Sequence, residues 1–139
     1  MARTTTIAVD VRFGDCDPAG IVFYPNFQRW MDAASLDFFR QCGLPPWREL
    51  EATRGIVGTP LLEIHTRFVT AATYGETLTV ETYVAEWKAK VFTHRHRVTR
   101  EGTLICEGSE TRAFVRRDAE DRNRLRAMEI PDDIRALCT

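Results

Sequence analysis

Residues 25–42 read Pro25-Asn26-Phe27-Gln28-Arg29-Trp30-Met31-Asp32-Ala33-Ala34-Ser35-Leu36-Asp37-Phe38-Phe39-Arg40-Gln41-Cys42, and this stretch decides the fold. Phe27, Trp30, Met31, Ala34 and Phe38 fall at i, i+3, i+4, i+7 and i+11, one apolar face at helical spacing. Pro25 suits the first turn, where its missing N–H has no partner in any case. Gly43 suits the stop, and Pro45-Pro46 prevents continuation. A helix this aromatic on one side needs an apolar surface to cover it.

The flanking sequence supplies that surface. Residues 4–13 are rich in β-branched side chains and alternate, with Ile7, Val9, Val11 and Phe13 on one face. Past an ambiguous segment around residues 45–58, the helical period disappears. Leu62, Ile64, Thr66 and Phe68 alternate, then Leu78, Val80, Thr82 and Val84, then Phe92, His94, His96 and Val98. A fourth strand after the helix follows over residues 103–117, and residues 132–138 suggest a short closing helix. Tyr74-Gly75 and Glu101-Gly102 read as turns. Short turns between strands predict antiparallel neighbours. The expected class is therefore α+β: a five-stranded antiparallel sheet packed on one long helix.

Composition removes several alternatives. The 139 residues fit one domain over 1–139, with no linker or repeat. Lys plus Arg is 19 and Asp plus Glu is 20, a balance that argues against nucleic acid as a partner. No apolar run approaches the ~20 residues of a membrane span, and residues 1–15 lack the apolar core of a secretory signal. Cys16, Cys42, Cys106 and Cys138 are widely spaced, without a CxxC pair, so reduced thiols and a cytoplasmic location are expected.

The chemistry is concentrated between the first strand and the helix. Gly14-Asp15-Cys16-Asp17-Pro18-Ala19-Gly20 places two carboxylates just before a helix start. That start offers free N–H groups and the positive end of a dipole, suited to an anion or a developing oxyanion. A carboxylate facing the same point can attack a carbonyl or activate water. Equally, both aspartates can serve only to satisfy loop and cap donors.

The segment from Phe13 to Phe27 resembles the signature of the hot-dog-fold acyl-CoA thioesterases, D-x-D-x-x-G-x-V followed by an aromatic helix. Arg29 to Ser35, Cys42 to Trp47, Arg54 to Pro60 and Leu125-Arg126-Ala127 extend the likeness to the Asp-dependent 4-hydroxybenzoyl-CoA thioesterase subgroup. The resemblance implies a sheet wrapped around one central helix and an acyl-CoA substrate, with no cofactor and no metal. It implies hot-dog dimers joined edge to edge, with active sites at the interface, assembled into a homotetramer. Pairing would also cover the exposed sheet edge. Asp17 matches the catalytic carboxylate, as nucleophile or general base. Asp15 matches a structural loop position. The backbone N–H of Tyr24 matches the group that polarises the carbonyl. Asp32 matches an acceptor for the ring hydroxyl. Thr59 belongs to the same pocket, with Trp30 and Trp47 as walls.

Residues 88–100 contain Lys88, Lys90, Arg95, Arg97 and Arg100 and no acid. Lys88 and Lys90, with Arg126, match the basic residues that bind coenzyme A phosphates, although Ala89 stands where another base is expected. His94 and His96 share a strand face without a third ligand nearby in sequence, so they read as structural, as does His65. Two alternatives share the loop: a general short- or medium-chain acyl-CoA thioesterase, and a non-catalytic acyl-thioester binding module. A hot-dog dehydratase fits less well, because neither loop nor helix carries a histidine base.

Overall fold

The computed structural model of the chain describes residues 2–139. Its elements are β1 (Thr4–Asp10), α1 (Pro25–Gln41), α2 (Trp47–Arg54), β2 (Leu61–Phe68), β3 (Thr77–Trp87), β4 (Val91–Arg100), β5 (Thr103–Ala113), β6 (Val115–Arg117), β7 (Leu125–Ala127) and α3 (Asp132–Leu137). The ambiguous middle segment is α2, closed by Gly55 in the left-handed region at a φ of 72°. The first strand ends three residues earlier than its alternation suggests. The short 3-10 turn Phe13–Asp15 follows, so Phe13 is exposed and meets Tyr74 edge-on at 5.3 Å instead of entering the core.

Five strands form one antiparallel sheet in the order β1-β3-β4-β5-β2. The turns at β3–β4 and β4–β5 join neighbours, as expected. β2 and β3 are not neighbours, which corrects the expectation drawn from the turn at Tyr74-Gly75. Residues 69–76 instead carry the chain across one end of the sheet. Val69 and Thr70 N–H groups donate to the Ile105 carbonyl, and Gly75 N–H donates to the Val11 carbonyl. β2 is thereby left on the far edge beside β5.

α1 lies against this sheet, and its contact surface has three parts. Phe27, Trp30, Met31 and Ala34 pack with Leu78, Val80, Val98 and Ile105. Phe38, Phe39 and Cys42 pack with Val84, Phe92 and Phe114, and Ile134 of α3 closes that end. Between the two apolar clusters runs a buried polar seam of Ser35, Thr82, His94, His96, Glu110 and Arg112. The register explains the alignment: Thr82 pairs with His96, and His94 with Glu110. Thr82 Oγ1 lies 2.8 Å from His96 Nδ1, and His96 Nε2 lies 2.5 Å from Glu110 Oε1. The Ser35 hydroxyl lies 2.9 Å from His94 Nδ1 and also donates to Glu110.

Burial raises the carboxyl of Glu110, but His96, Arg112 and Ser35 outweigh it and hold the pKa at about 2. Burial pushes His94 well below the ordinary histidine value, reinforced by His96. Its Nε2 has no partner among the described residues. By separation alone, His94, His96 and Glu110 could hold a cation. The carboxylate of Glu110 is already engaged by His96, Ser35 and Arg112, so the seam reads as a structural hydrogen-bonded network, with His94 Nε2 and Arg112 Nε left unpaired among the described residues.

Two outcomes are expected for stability. A Cβ at Gly108 would meet the His65 carbonyl of β2 at 2.6 Å, so Gly108→Ala should cost about 1–3 kcal/mol in urea unfolding. Acid should destabilise the chain in two stages. Below the ordinary His94 value of 6.5 the unfolded state gains a proton that the native state refuses. Between 4.5 and about 2 the same applies to Glu110. The urea midpoint should therefore fall from pH 7 to pH 5, and again below pH 4.5.

Candidate active site

The β1–α1 loop is built by its own backbone. Residues 15–17 and 21–23 run antiparallel. Asp17 N–H donates to the Ile21 carbonyl at 2.9 Å, Phe23 N–H donates to the Asp15 carbonyl at 2.9 Å, and Cys16 and Val22 form a β-bridge. Gly20, at a φ of 83°, makes the reversal possible.

The two aspartates take different roles in this loop. Asp15 accepts from Arg12 N–H at 2.9 Å and from Arg29 at 3.2 Å, and its carbonyl accepts from Asn26 Nδ2 at 2.8 Å. Both of its carboxylate oxygens are occupied, as suits a structural residue. Asp17 is half-buried, and its Oδ1 accepts from Ala19 N–H at 2.8 Å. Its Oδ2 has no partner among the described residues, so one oxygen is anchored and the other open.

Tyr24 is the residue before α1 begins at Pro25. Pro25 has no N–H to give, and Asn26 and Phe27 already donate to the Phe23 and Tyr24 carbonyls. That leaves the Tyr24 N–H without a backbone acceptor among the described residues, at the positive end of a helix of 17 residues. Asp17 and this N–H sit on the two arms of one short antiparallel turn. Beside them, Tyr24, Phe27 and Phe68 line an apolar cavity of about 310 Å³. A carboxylate and a free N–H placed in this way can act on a carbonyl from two sides.

Further along α1, Asp32, Trp47 and Thr59 line one cavity of about 380 Å³ with Leu36, Pro60 and Arg112. Three of the residues expected in a ring pocket are thus brought together. Trp30 is placed elsewhere, in the core, edge-on to Phe27 at 5.5 Å. The Asp32 side chain is 69% exposed, and its Oδ1 accepts from Arg112 Nη2 at 2.6 Å. Sequence reasoning missed Arg112. The signal was available: Glu110 and Arg112 occupy alternate positions on the same face of β5 as buried residues, opposite His94 and Phe92.

Lys90 and Arg126 line a third cavity, of about 640 Å³, together with Arg116. Lys88 is exposed outside it, and its carbonyl accepts from Arg135 at 2.9 Å. Arg126 Nε donates to Asp118 at 2.5 Å and, with two backbone donors, holds that carboxyl at about 2. The short β6–β7 ribbon brings Arg116 and Arg126 into register. Arg95 and Arg97 face solvent on the opposite side of β4 from the helix and belong to none of these cavities.

A family model described as "Thioesterase-like superfamily" matches residues 11–137. The 4-hydroxybenzoyl-CoA thioesterase of Pseudomonas sp. (strain CBS-3) is 47% identical over 144 aligned residues, covering 100% of both chains. A crystal structure of a 4-hydroxybenzoyl CoA thioesterase, mutant D17N, complexed with 4-hydroxybenzoyl CoA superimposes with a TM-score of 0.93. It is 48% identical and covers 99% of this chain and 100% of that one. A gentisyl-coenzyme A thioesterase superimposes with a TM-score of 0.80 at 31% identity, covering 96% and 98%.

Proposed function

The chain belongs to the thioesterase-like superfamily, with the hot-dog fold and acyl-CoA thioester hydrolysis as its chemistry, and from that premise we propose that it cleaves 4-hydroxybenzoyl-CoA to 4-hydroxybenzoate and coenzyme A. The observation that carries the acyl group is the joining of Asp32, Thr59 and Trp47 in one cavity, with Asp32 Oδ2 open to accept from a ring hydroxyl. A site built to bind that hydroxyl discriminates strongly against the analogue without it. The relative crystallised with 4-hydroxybenzoyl CoA is a D17N mutant, which supports Asp17 as the residue of the chemical step.

In this reading the thioester carbonyl accepts from the Tyr24 N–H. Asp17 either attacks the carbonyl carbon or takes a proton from an attacking water. Negative charge gathers on the carbonyl oxygen and is stabilised at the start of α1. The C–S bond then breaks, and the sulfur leaves as the coenzyme A thiol after taking up a proton; where Asp17 itself has attacked, a water then cleaves the resulting aspartyl–acyl anhydride, releasing 4-hydroxybenzoate and restoring the carboxylate. Lys90 and Arg126, with Lys88 farther out, offer cations to the coenzyme A phosphates. We take residues 1–139 as one such domain, acting in the cytoplasm, where its four free cysteines stay reduced.

The assembly we propose is a dimer joined through β2, paired again into a tetramer. β2 is an edge strand, and Leu61, Leu62, Ile64 and Phe68 remain exposed on it. Such an edge calls for a cover, and a second copy supplies one. The apolar groove of about 610 Å³ around Leu36, Pro45 and Trp47 supports the second level of association.

Asp17→Asn should lower kcat for 4-hydroxybenzoyl-CoA about 10²–10⁴-fold in a thiol-release assay while the ester still binds. Unchanged turnover would remove Asp17 from the chemistry. Hexanoyl-CoA hydrolysed as well as the aromatic ester would favour a general thioesterase. Binding of acyl-CoA with no thiol released from any ester would favour the binding module. Ile64→Lys should shift the sedimentation mass from a multimer to a monomer.

A further inference from the structure

The side chain that supports the ring pocket from behind is Arg112. Its guanidinium is buried and reaches three separate parts of the chain. Nη1 donates to the Thr59 carbonyl at 2.9 Å, in the segment entering β2. Nη2 donates to Asp32 Oδ1 of α1 at 2.6 Å and to Glu110 Oε2 at 2.7 Å. Glu110 is itself fixed by His96 and Ser35 within the seam. The cation is thus set by groups that never reach the cavity, while it grips two that line it. This geometry matters because Asp32 is exposed on a helix surface. Left alone, its carboxylate would rotate freely and present either oxygen in many directions. With Oδ1 held by a buried, immobile donor, only Oδ2 is offered, from a fixed position.

We infer that Arg112 is a positioning residue for substrate selectivity: it fixes Asp32 and the Thr59 carbonyl so that the pocket recognises a hydroxyl on the acyl ring, and Glu110 acts on selectivity only through it. The inference rests on the substrate reading given above. It requires the planar fork of an arginine, because a single ammonium cannot keep all three acceptors in that plane. Neither Arg112 nor Glu110 takes part in bond breaking, so their replacement should weigh more on the hydroxylated ring than on the unsubstituted one.

The test is the ratio of kcat/KM for 4-hydroxybenzoyl-CoA to that for benzoyl-CoA, measured by thiol release. Arg112→Lys should lower this ratio about tenfold or more, chiefly through a raised KM for the hydroxylated ester. Turnover of benzoyl-CoA should fall less than turnover of the hydroxylated ester. Glu110→Gln, which keeps the shape of the side chain, should lower the ratio in the same direction by less, although Glu110 does not line the cavity. In an Asp32→Asn background, Arg112→Lys should change the ratio much less, since one of the two groups it positions is already lost. Equal slowing of both esters, or an undiminished effect of Arg112→Lys in the Asp32→Asn background, would overturn the proposal. Should Arg112→Lys fail to fold, an unchanged ratio in Glu110→Gln would overturn it on its own. A parent enzyme with no preference for the hydroxylated ring would instead overturn the substrate reading beneath it.

Discussion

The buried pair of Arg112 and Glu110 is the interaction that the rest of the structure has to accommodate. Two ions out of water cost several kcal/mol each unless their remaining bonds are made, and breaking such a pair costs about 3–5 kcal/mol. Here Glu110 is bonded by Ser35 from the helix and His96 from the neighbouring strand, and the two terminal nitrogens of Arg112 reach Thr59 and Asp32, which leaves only its Nε unpaired among the described residues. These partners come from α1, from β4 and from the segment entering β2. Sliding β5 by one residue would move Glu110 and Arg112 to the outer face and set the short side chains of Ser109 and Thr111 in their place, leaving the histidines without their charged partner. The polar seam therefore selects one register and one helix position among many that an apolar core would tolerate. That is consistent with its place midway along the sheet, between two clusters held by unspecific hydrophobic contact.

The loop that carries Asp17 and the cavity lined by Asp32 are arranged on the same principle at different depths. In each, a carboxylate has one oxygen tied to a protein donor and the other open: Asp17 is tied by the Ala19 N–H, Asp32 by Arg112. A short turn suffices for the first, because backbone donors lie two residues away. The second sits on a regular helix, whose own N–H groups are already bonded. Its donor has to come from another element, and that element needs a buried counter-charge. The seam can thus be seen as the support a helix-borne carboxylate requires.

Much of this was legible in the sequence because period is a local property. The apolar face of α1, the inward residues of β3 and β4, and the loop carrying Asp17 all follow from spacing within a dozen residues. The order of the strands does not. The turn at Tyr74-Gly75 looks like a hairpin, yet residues 69–76 serve as a crossing, because β3 already has β1 and β4 as partners. Phe13 continues an alternation that the backbone abandons at Asp10. Arg112 lies 80 residues from Asp32, and no pattern along the chain links them; only the register of β5 does. Trp30, read as a pocket wall on the strength of the resemblance, belongs to the sheet-facing side of the helix.

The sheet order also has a temporal side. β2 is made before β3, β4 and β5, but its one partner within the chain is β5, the last of the five sheet strands to be made. While β3 and β4 emerge and pair, β2 waits as an unpaired segment with Leu61, Leu62, Ile64 and Phe68 on display. Closing that gap joins residues about 40 positions apart, a slow step among the loop closures of a small domain. The surface proposed to bind a second copy is therefore the same surface most open to wrong pairing during synthesis. Edge pairing between nascent chains would compete directly with the native β2–β5 ladder, and chain concentration would decide the balance.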